Sequence, residues 1–320
     1  MKTFEHVYPR LSVVLILIGA LTMACSMRDI NTEPDKRQLR KMAAEKAKAE
    51  EEKAKAEMEK AKTAAENAIP AHNNLHSTLW VQTAAEYDAL TRQAYAAAQV
   101  SLLAGLKDRK WTAAPVEQTE KFSNLPPAVI LDIDETVLDN SPYQARLVAE
   151  GGSFNPDTWA EWCKEERAKA VPGALEFIQF AASKGVKVFY VSNRDASLEE
   201  ATRNNLKALG FPIDEDIDVV LLKKEEDNWG SKKGTRRTVV AQQFRVVMMF
   251  GDNLGDFTDD YKTSRAARDQ VVEDNKSYWG ERWIMLPNPT YGSWQGAIFD
   301  FNAPKDARDR VEGKFDALQK

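Results

Sequence analysis

The stretch Ala128-Val-Ile-Leu-Asp-Ile-Asp-Glu-Thr136 sets four apolar residues directly in front of an Asp-x-Asp pair and a threonine. A run this short, aliphatic and β-branched predicts a strand buried on both faces. Similar runs at 186–192, 219–222, 246–250 and 283–286 predict four more strands. Between and after them, apolar residues at helical spacing predict helices over 158–168, 173–184, 197–209, 233–243 and 257–267. A further helix is predicted from Leu79 to Leu106, with Trp80, Ala84, Tyr87, Leu90, Tyr95 and Leu102 on its buried face. Near-continuous apolar strands alternating with helices predict an α/β fold: a doubly wound, mostly parallel sheet with helices on both faces and a small cap insert.

In such sheets functional groups gather at the carboxyl ends of strands. The first strand runs into Asp132 and Asp134, the second into Ser192-Asn193-Arg194, and the fourth into Gly251-Asp252-Asn253-Leu-Gly-Asp256. Residues i and i+2 of an extended segment point the same way, so Asp132 and Asp134 are set to face one substrate. Four carboxylates this close repel one another unless a positive charge sits among them. Mg²⁺ suits the donor set, because it takes carboxylate, carbonyl and water oxygens without histidine. Lys223-Lys224 and Lys232-Lys233 are further sources of positive charge.

The composition narrows the chemistry from another side. Of three histidines, His6, His72 and His76, none lies beyond the first quarter of the chain. Ser-His-Asp hydrolysis and His-rich metal centres are therefore excluded from the rest. The two cysteines are too few for a structural zinc, and Cys163 has Lys169, not arginine, six positions on. A cysteine-nucleophile phosphate loop is thus excluded, and Trp159–Arg167 reads as helix. A formal net charge of −5 gives no field favouring nucleic acid.

The N-terminal region has its own logic. Lys2 and Arg10 precede an apolar run from Leu11 to Ala24, the length of a signal-peptide core and too short to cross a bilayer. Ala24-Cys25 resembles a bacterial lipobox, with Leu21 one position early, so Cys25 is the expected lipidation site after removal of 1–24 and membrane association through that lipid is expected, a plain cleaved signal peptide being the alternative. Residues 25–35 then form a tether. From 36 to 70 the chain is rich in Ala, Lys and Glu with supporting pairs such as Glu51–Lys55, which predicts a solvated helical spacer closed by Pro70. Residues 71–320 form the expected catalytic domain. With Cys25 lipidated, Cys163 is read as a buried, unpartnered thiol.

The strand-end residues resemble the haloacid-dehalogenase superfamily. Ile130-Leu-Asp-Ile-Asp-Glu-Thr-Val-Leu-Asp-Asn-Ser-Pro-Tyr143 and Val247-Met-Met-Phe-Gly-Asp-Asn-Leu-Gly-Asp-Phe257 resemble the two halves of the signature of class C bacterial acid phosphatases. Similarity continues through Val186–Arg194, Trp80–Tyr95 and Met285–Trp294. Members of that family are outer-membrane lipoproteins, so the resemblance implies a lipid-anchored protein of the cell envelope. It implies a phosphomonoesterase acting on small esters such as nucleoside monophosphates. Asp132 is the implied nucleophile, forming an aspartyl-phosphate, and Asp134 the implied acid and base. Asp132, the Asp134 carbonyl and Asp252 are implied to hold Mg²⁺, with Asp256 at or behind it. Ser192 and Asn193 are implied to bind phosphoryl oxygens. Ser231–Arg236 resembles the family's Ser-x-Lys-x-x-Arg, which selects Lys233, but about four extra residues before it leave Lys232 open as well.

The resemblance also marks Phe154, Trp159 and Tyr291 as rings that clamp the leaving group, with packing of the cap as the alternative role. Two other functions stay open on the residues. One is a surface lipoprotein that binds nucleotides or haem without turnover, which would leave the carboxylate, serine and lysine set without a purpose. The other is a phosphotransferase that passes the phosphoryl group to an alcohol.

Overall fold

The computed structural model describes residues 36–66 and 72–319, and the chain divides into two units between Ile69 and Pro70. The expected signal peptide, the tether and Cys25 lie outside the described residues. No described helix is long and apolar enough to cross a membrane.

In the first unit, α1 (Lys36–Glu66) is one uninterrupted helix of 31 residues, about 47 Å long at 1.5 Å per residue. Its side chains from Arg40 to Lys60 are all exposed. Pairs such as Lys55–Glu51 at 2.6 Å are solvated and contribute little. Helix propensity in Ala, Lys and Glu therefore carries this element.

The second unit runs α2 (Leu75–Thr83), α3 (Ala85–Lys107), β1 (Pro127–Leu131), β2 (Leu138–Asp139), α4 (Ser141–Glu150), α5 (Pro156–Lys164), β3 (Lys169–Ala170), α6 (Ala174–Ser183), β4 (Lys187–Asp195), α7 (Glu199–Ala208), β5 (Val220–Lys223), α8 (Gly234–Gln243), β6 (Arg245–Gly251), α9 (Arg265–Asp274), β7 (Trp283–Met285), α10 (Ser293–Ala297) and α11 (Ala307–Asp316). Five strands form one parallel sheet in the order β5-β4-β1-β6-β7. The strand carrying the first acidic pair is thus central, with β4 and β6, the other two strands that end in functional residues, on either side. Val246 to Phe250 and Ala128 to Leu131 are almost wholly buried, as strands covered on both faces must be. The cap insert is closed at its base by the antiparallel pair β2–β3 and carries α4 and α5.

Two helical expectations need correction. The helix predicted over Leu79–Leu106 is broken at Ala84, whose backbone is extended (φ −80°, ψ 124°). The two pieces serve different neighbours: α2 packs on α4 and α3 on α6. A single straight helix would not reach both, and the Trp80 and Tyr87 rings meet edge to face at 5.6 Å across the break. The helix predicted over Phe257–Ala267 begins only at Arg265, where Ser264 accepts a hydrogen bond from the Ala267 amide. Upstream, Phe257 is fixed between Trp279 and Trp283, and Asp259 accepts from the Gly234 amide and from Arg237. These contacts hold 257–264 irregular. Three helices, α4, α10 and α11, have no counterpart in the sequence expectations.

Candidate active site

The β1 end is held from beneath. The Asp132 amide donates to the Phe250 carbonyl at 3.0 Å, continuing the β1–β6 ladder one residue past the strand. Tyr95 of α3 stacks on Phe250 at 5.6 Å and donates its hydroxyl to the Thr136 carbonyl at 2.7 Å. The turn after Asp134 passes through Glu135 in a left-handed conformation (φ 59°). Its Oε1 accepts from the Asn140 amide at 2.9 Å. Strand, helix and turn thereby hold both aspartates at one edge of the sheet.

Asp132, Asp252 and Asp256 place one carboxylate oxygen each within 4.8 Å of the others. Asp256 caps the turn after β6, accepting from the Asn253 amide at 2.9 Å while Asn253 Oδ1 accepts from the Gly255 amide. A Cβ at Gly251 would run into the Asp256 side chain, so only glycine fits there. Asp252 accepts from Asn288 Nδ2 at 2.7 Å. Asn288 Oδ1 in turn accepts from the amide and hydroxyl of Thr290. All three donors are hard oxygens, which fits a divalent cation such as Mg²⁺ and leaves no place for a thiolate or imidazole.

Lys233, at the start of α8, is 3% exposed and directs its ammonium to Asp132 Oδ1 and, at 2.7 Å, to Asp256 Oδ1. Lys232 is exposed. Of the two lysines left open by the sequence, Lys233 is the one among the carboxylates. Arg236 supports it by clamping the Ser192, Gly230 and Lys232 carbonyls and Asn193 Oδ1. Burial pushes the Asp132 carboxyl up to about 7, with Lys233 opposing and Asp256 and Asp134 adding to the rise. Burial, then Asp256 and Asp132, hold Asp252 well above the ordinary carboxylate range. Burial would lower the Lys233 ammonium, yet Asp132 and Asp256 keep it above the usual lysine value.

Ser192 ends the unbroken buried run of β4 from Val188, and its hydroxyl lies 3.4 Å from Asp134 Oδ2. Asn193 is exposed and spends its amide on Ser231 and Arg236. Arg194, which the sequence left without a role, is buried and grips Asp134 Oδ1 through Nε at 3.0 Å and Nη2 at 2.8 Å. Its guanidinium also lies 5.6 Å over the Trp159 ring. Trp159 packs edge to face on Tyr143 at 5.1 Å and so is partly a packing residue. Phe154 is 62% exposed, 6.4 Å from Trp159. Tyr291 is half-buried in the loop organised by Asn288, to which its amide donates at 3.4 Å. Cys163 is buried, and burial pushes its thiol up to about 12.

The sequence reading passed over Asn140, Asn288 and Arg194. Asn288 lies in Leu-Pro-Asn-Pro, where an Asn-Pro pair signals a turn that can be set against a site. Asn140 is a polar residue in a segment that folds inward.

A family model described as HAD superfamily, subfamily IIIB (acid phosphatase), matches residues 36–294. The class C acid phosphatase of Bacillus anthracis superposes with a TM-score of 0.67 at 37% identity, covering 77% of this chain and 97% of that one. A second structure of the class C acid phosphatase from that organism, with tungstate bound, gives 0.67 at 38% identity over the same shares. The stem 31 kDa glycoprotein of Glycine max is 29% identical over 166 residues, 51% of this chain and 58% of that protein. The chain spans about half the length of the curated relatives it matches. With the family model covering most of its length and a class C structure matched almost end to end, the chain belongs to the HAD superfamily, subfamily IIIB (acid phosphatase), and to the class C acid phosphatases within it.

Proposed function

We propose that this protein hydrolyses phosphate monoesters through an aspartyl-phosphate on Asp132. The observation that carries the reading is the convergence of Asp132, Asp252, Asp256 and Lys233 at one sheet edge, with Asp134 and Ser192 beside them. Asp132, Asp252, Asp256 and the Asp134 carbonyl would hold Mg²⁺, which when bound offsets phosphoryl charge and anchors the ester oxygens. Asp132 attacks phosphorus in line as the bond to the leaving oxygen breaks. Asp134 gives that oxygen its proton. In the second half water attacks the acyl phosphate, Asp134 takes the water's proton, and the Asp132–phosphorus bond breaks. Ser192 and Lys233 bind the phosphoryl oxygens as their charge shifts, with Asn193 beside them. The tungstate named for the Bacillus anthracis structure is a tetrahedral oxyanion, the shape such a site must accept.

Small esters with an aromatic leaving group, 5′-nucleotides among them, fit a site flanked by Trp159, with Phe154 and Tyr291 as further rings. Anchoring to the outer membrane through Cys25, with the catalytic unit in the cell envelope, completes the proposal. It rests on the signal-like run before Cys25 and on the family.

The test is turnover of nucleoside and sugar monophosphates by the full chain with Mg²⁺ or EDTA, for the wild type and Asp132→Asn. Turnover that requires metal and is lost in Asp132→Asn is expected. Turnover that survives either change overturns the mechanism.

A further inference from the structure

The two oxygens of Asp134 are held unequally. Oδ1 accepts three hydrogen bonds, from Arg194 Nε at 3.0 Å, Arg194 Nη2 at 2.8 Å and Asn140 Nδ2 at 2.9 Å. Among the described residues Oδ2 has only the Ser192 hydroxyl, at 3.4 Å. Oδ1 is therefore saturated, and Oδ2 is the oxygen left for a substrate.

Arg194 supplies two of these bonds, and what fixes the third lies one step back. Asn140 is fully buried, and an amide alone presents either its oxygen or its nitrogen to a neighbour. Here the choice is forced. Trp162 Nε1 donates to Asn140 Oδ1 at 2.8 Å, and Arg194 Nη2 reaches the same oxygen at 3.5 Å. Indole and guanidinium are donors only, so Oδ1 must face them and Nδ2 must face Asp134. Trp162 is fixed in turn. It is 2% exposed on α5, with the Arg146 and Arg167 guanidinium groups 5.1 and 5.3 Å from its ring, and both arginines bind Glu165.

We propose that Asn140 is a positioning residue for proton transfer, oriented by Trp162 of the cap. It occupies Oδ1 of Asp134 and so presents Oδ2 to the leaving oxygen. The cap helix α5 thereby governs leaving-group protonation through a buried amide, apart from any contact of its Trp159 with substrate. The inference rests on the phosphomonoesterase reading and deepens it.

The experiment compares two esters of unlike leaving group in the full-length protein with Mg²⁺. Glycerol 2-phosphate releases an alkoxide and needs a proton. 2,4-Dinitrophenyl phosphate releases a stable phenolate and does not. A hydrogen bond to a charged group, set against the whole range of general acid catalysis, gives an expected loss in kcat/KM, which reports the steps up to phosphoryl transfer onto Asp132, of about 30-fold for Asn140→Ala on glycerol 2-phosphate and under about 3-fold on the dinitrophenyl ester. KM for glycerol 2-phosphate is expected to be little changed. Trp162→Phe keeps the ring between its two arginines and removes only the N–H, and the same selective loss is expected, smaller, at about 3- to 5-fold. Because it disturbs packing least, it decides the matter alone if Asn140→Ala fails to fold. Equal losses on the two esters, or no loss in either variant, overturn the proposal. A wild type that cleaves neither ester is a different result: it removes the phosphomonoesterase reading itself, and this proposal with it.

Discussion

Lys233→Met tests the charge balance of the site most directly. The ammonium is buried and shared between Asp132 and Asp256. Methionine fills nearly the same space, so the change removes one positive charge and little volume. Removing one partner of a buried ion pair costs about 3–5 kcal/mol, because the remaining charge is left uncompensated. For a unit of this size each kcal/mol moves Tm by about 2–4 °C, so a drop of about 6–20 °C is expected at pH 8 in EDTA. The drop should shrink at pH 5. Asp132 is already pushed up to about 7 and, without the lysine, takes a proton more readily still. Mg²⁺ should raise the melting temperature of the variant more than that of the wild type, since it supplies charge to the same carboxylates. Turnover should fall at least about 100-fold, the scale of losing one preorganised electrostatic group. Thermal melts at the two pH values, with EDTA and with Mg²⁺, check all of this. An unchanged Tm in EDTA at pH 8, or a loss of equal size at both pH values, would refute the assignment of Lys233 as counter-ion.

Gly251→Ala should drive the Asp256 carboxylate out of place and cost about 100-fold in kcat/KM, with weaker Mg²⁺ activation as the accompanying sign. Tyr95→Phe should destabilise by about 1–3 kcal/mol in urea melts, because the buried Thr136 carbonyl loses its donor. Burial pushes the Glu225 carboxyl from 4.5 to about 7. The native state therefore holds this proton more tightly than the unfolded chain, stability falls as pH rises through that window, and Glu225→Gln should flatten that part of the slope in melts at pH 5 and 7.5. Trp159→Ala and Tyr291→Ala should raise KM for nucleotides more than for glycerol phosphate, and an unchanged ratio would show that the rings only pack.

Much of this was legible because it depends on period and punctuation. Five apolar runs became five strands, and the residues that end three of them, four carboxylates and the Ser192 hydroxyl, fell at one sheet edge, as parallel topology requires. Lys233 over Lys232 was readable only through the resemblance and not from the residues themselves, since the choice depends on the pose of one turn at the start of α8. The break at Ala84 was hidden because apolar spacing continues through it, and only the separate demands of α4 and α6 require it. The roles of Asn140 and Asn288 were hidden for a different reason, although the Asn-Pro pair at Asn288 does mark a turn. They act on other side chains rather than on a ligand, and a single amide carries no pattern. The late start of α9 shows side-chain contacts, those of Phe257 and Asp259, overriding helical periodicity.

The chain enters the catalytic unit through a pair of small fastenings. His72 shares a hydrogen bond with the Gly152 carbonyl at 2.8 Å, and Asn74 donates to the Thr290 carbonyl at 2.9 Å. Gly152 lies in the cap insert and Thr290 in the loop that supports Asp252 through Asn288. Two residues thus span both rims of the site before α2 begins. The choice of where to begin a soluble fragment is therefore a choice about the active site: one starting at Leu75 would keep every acidic group while untying the loops that frame them, and one starting before His72 would retain both knots.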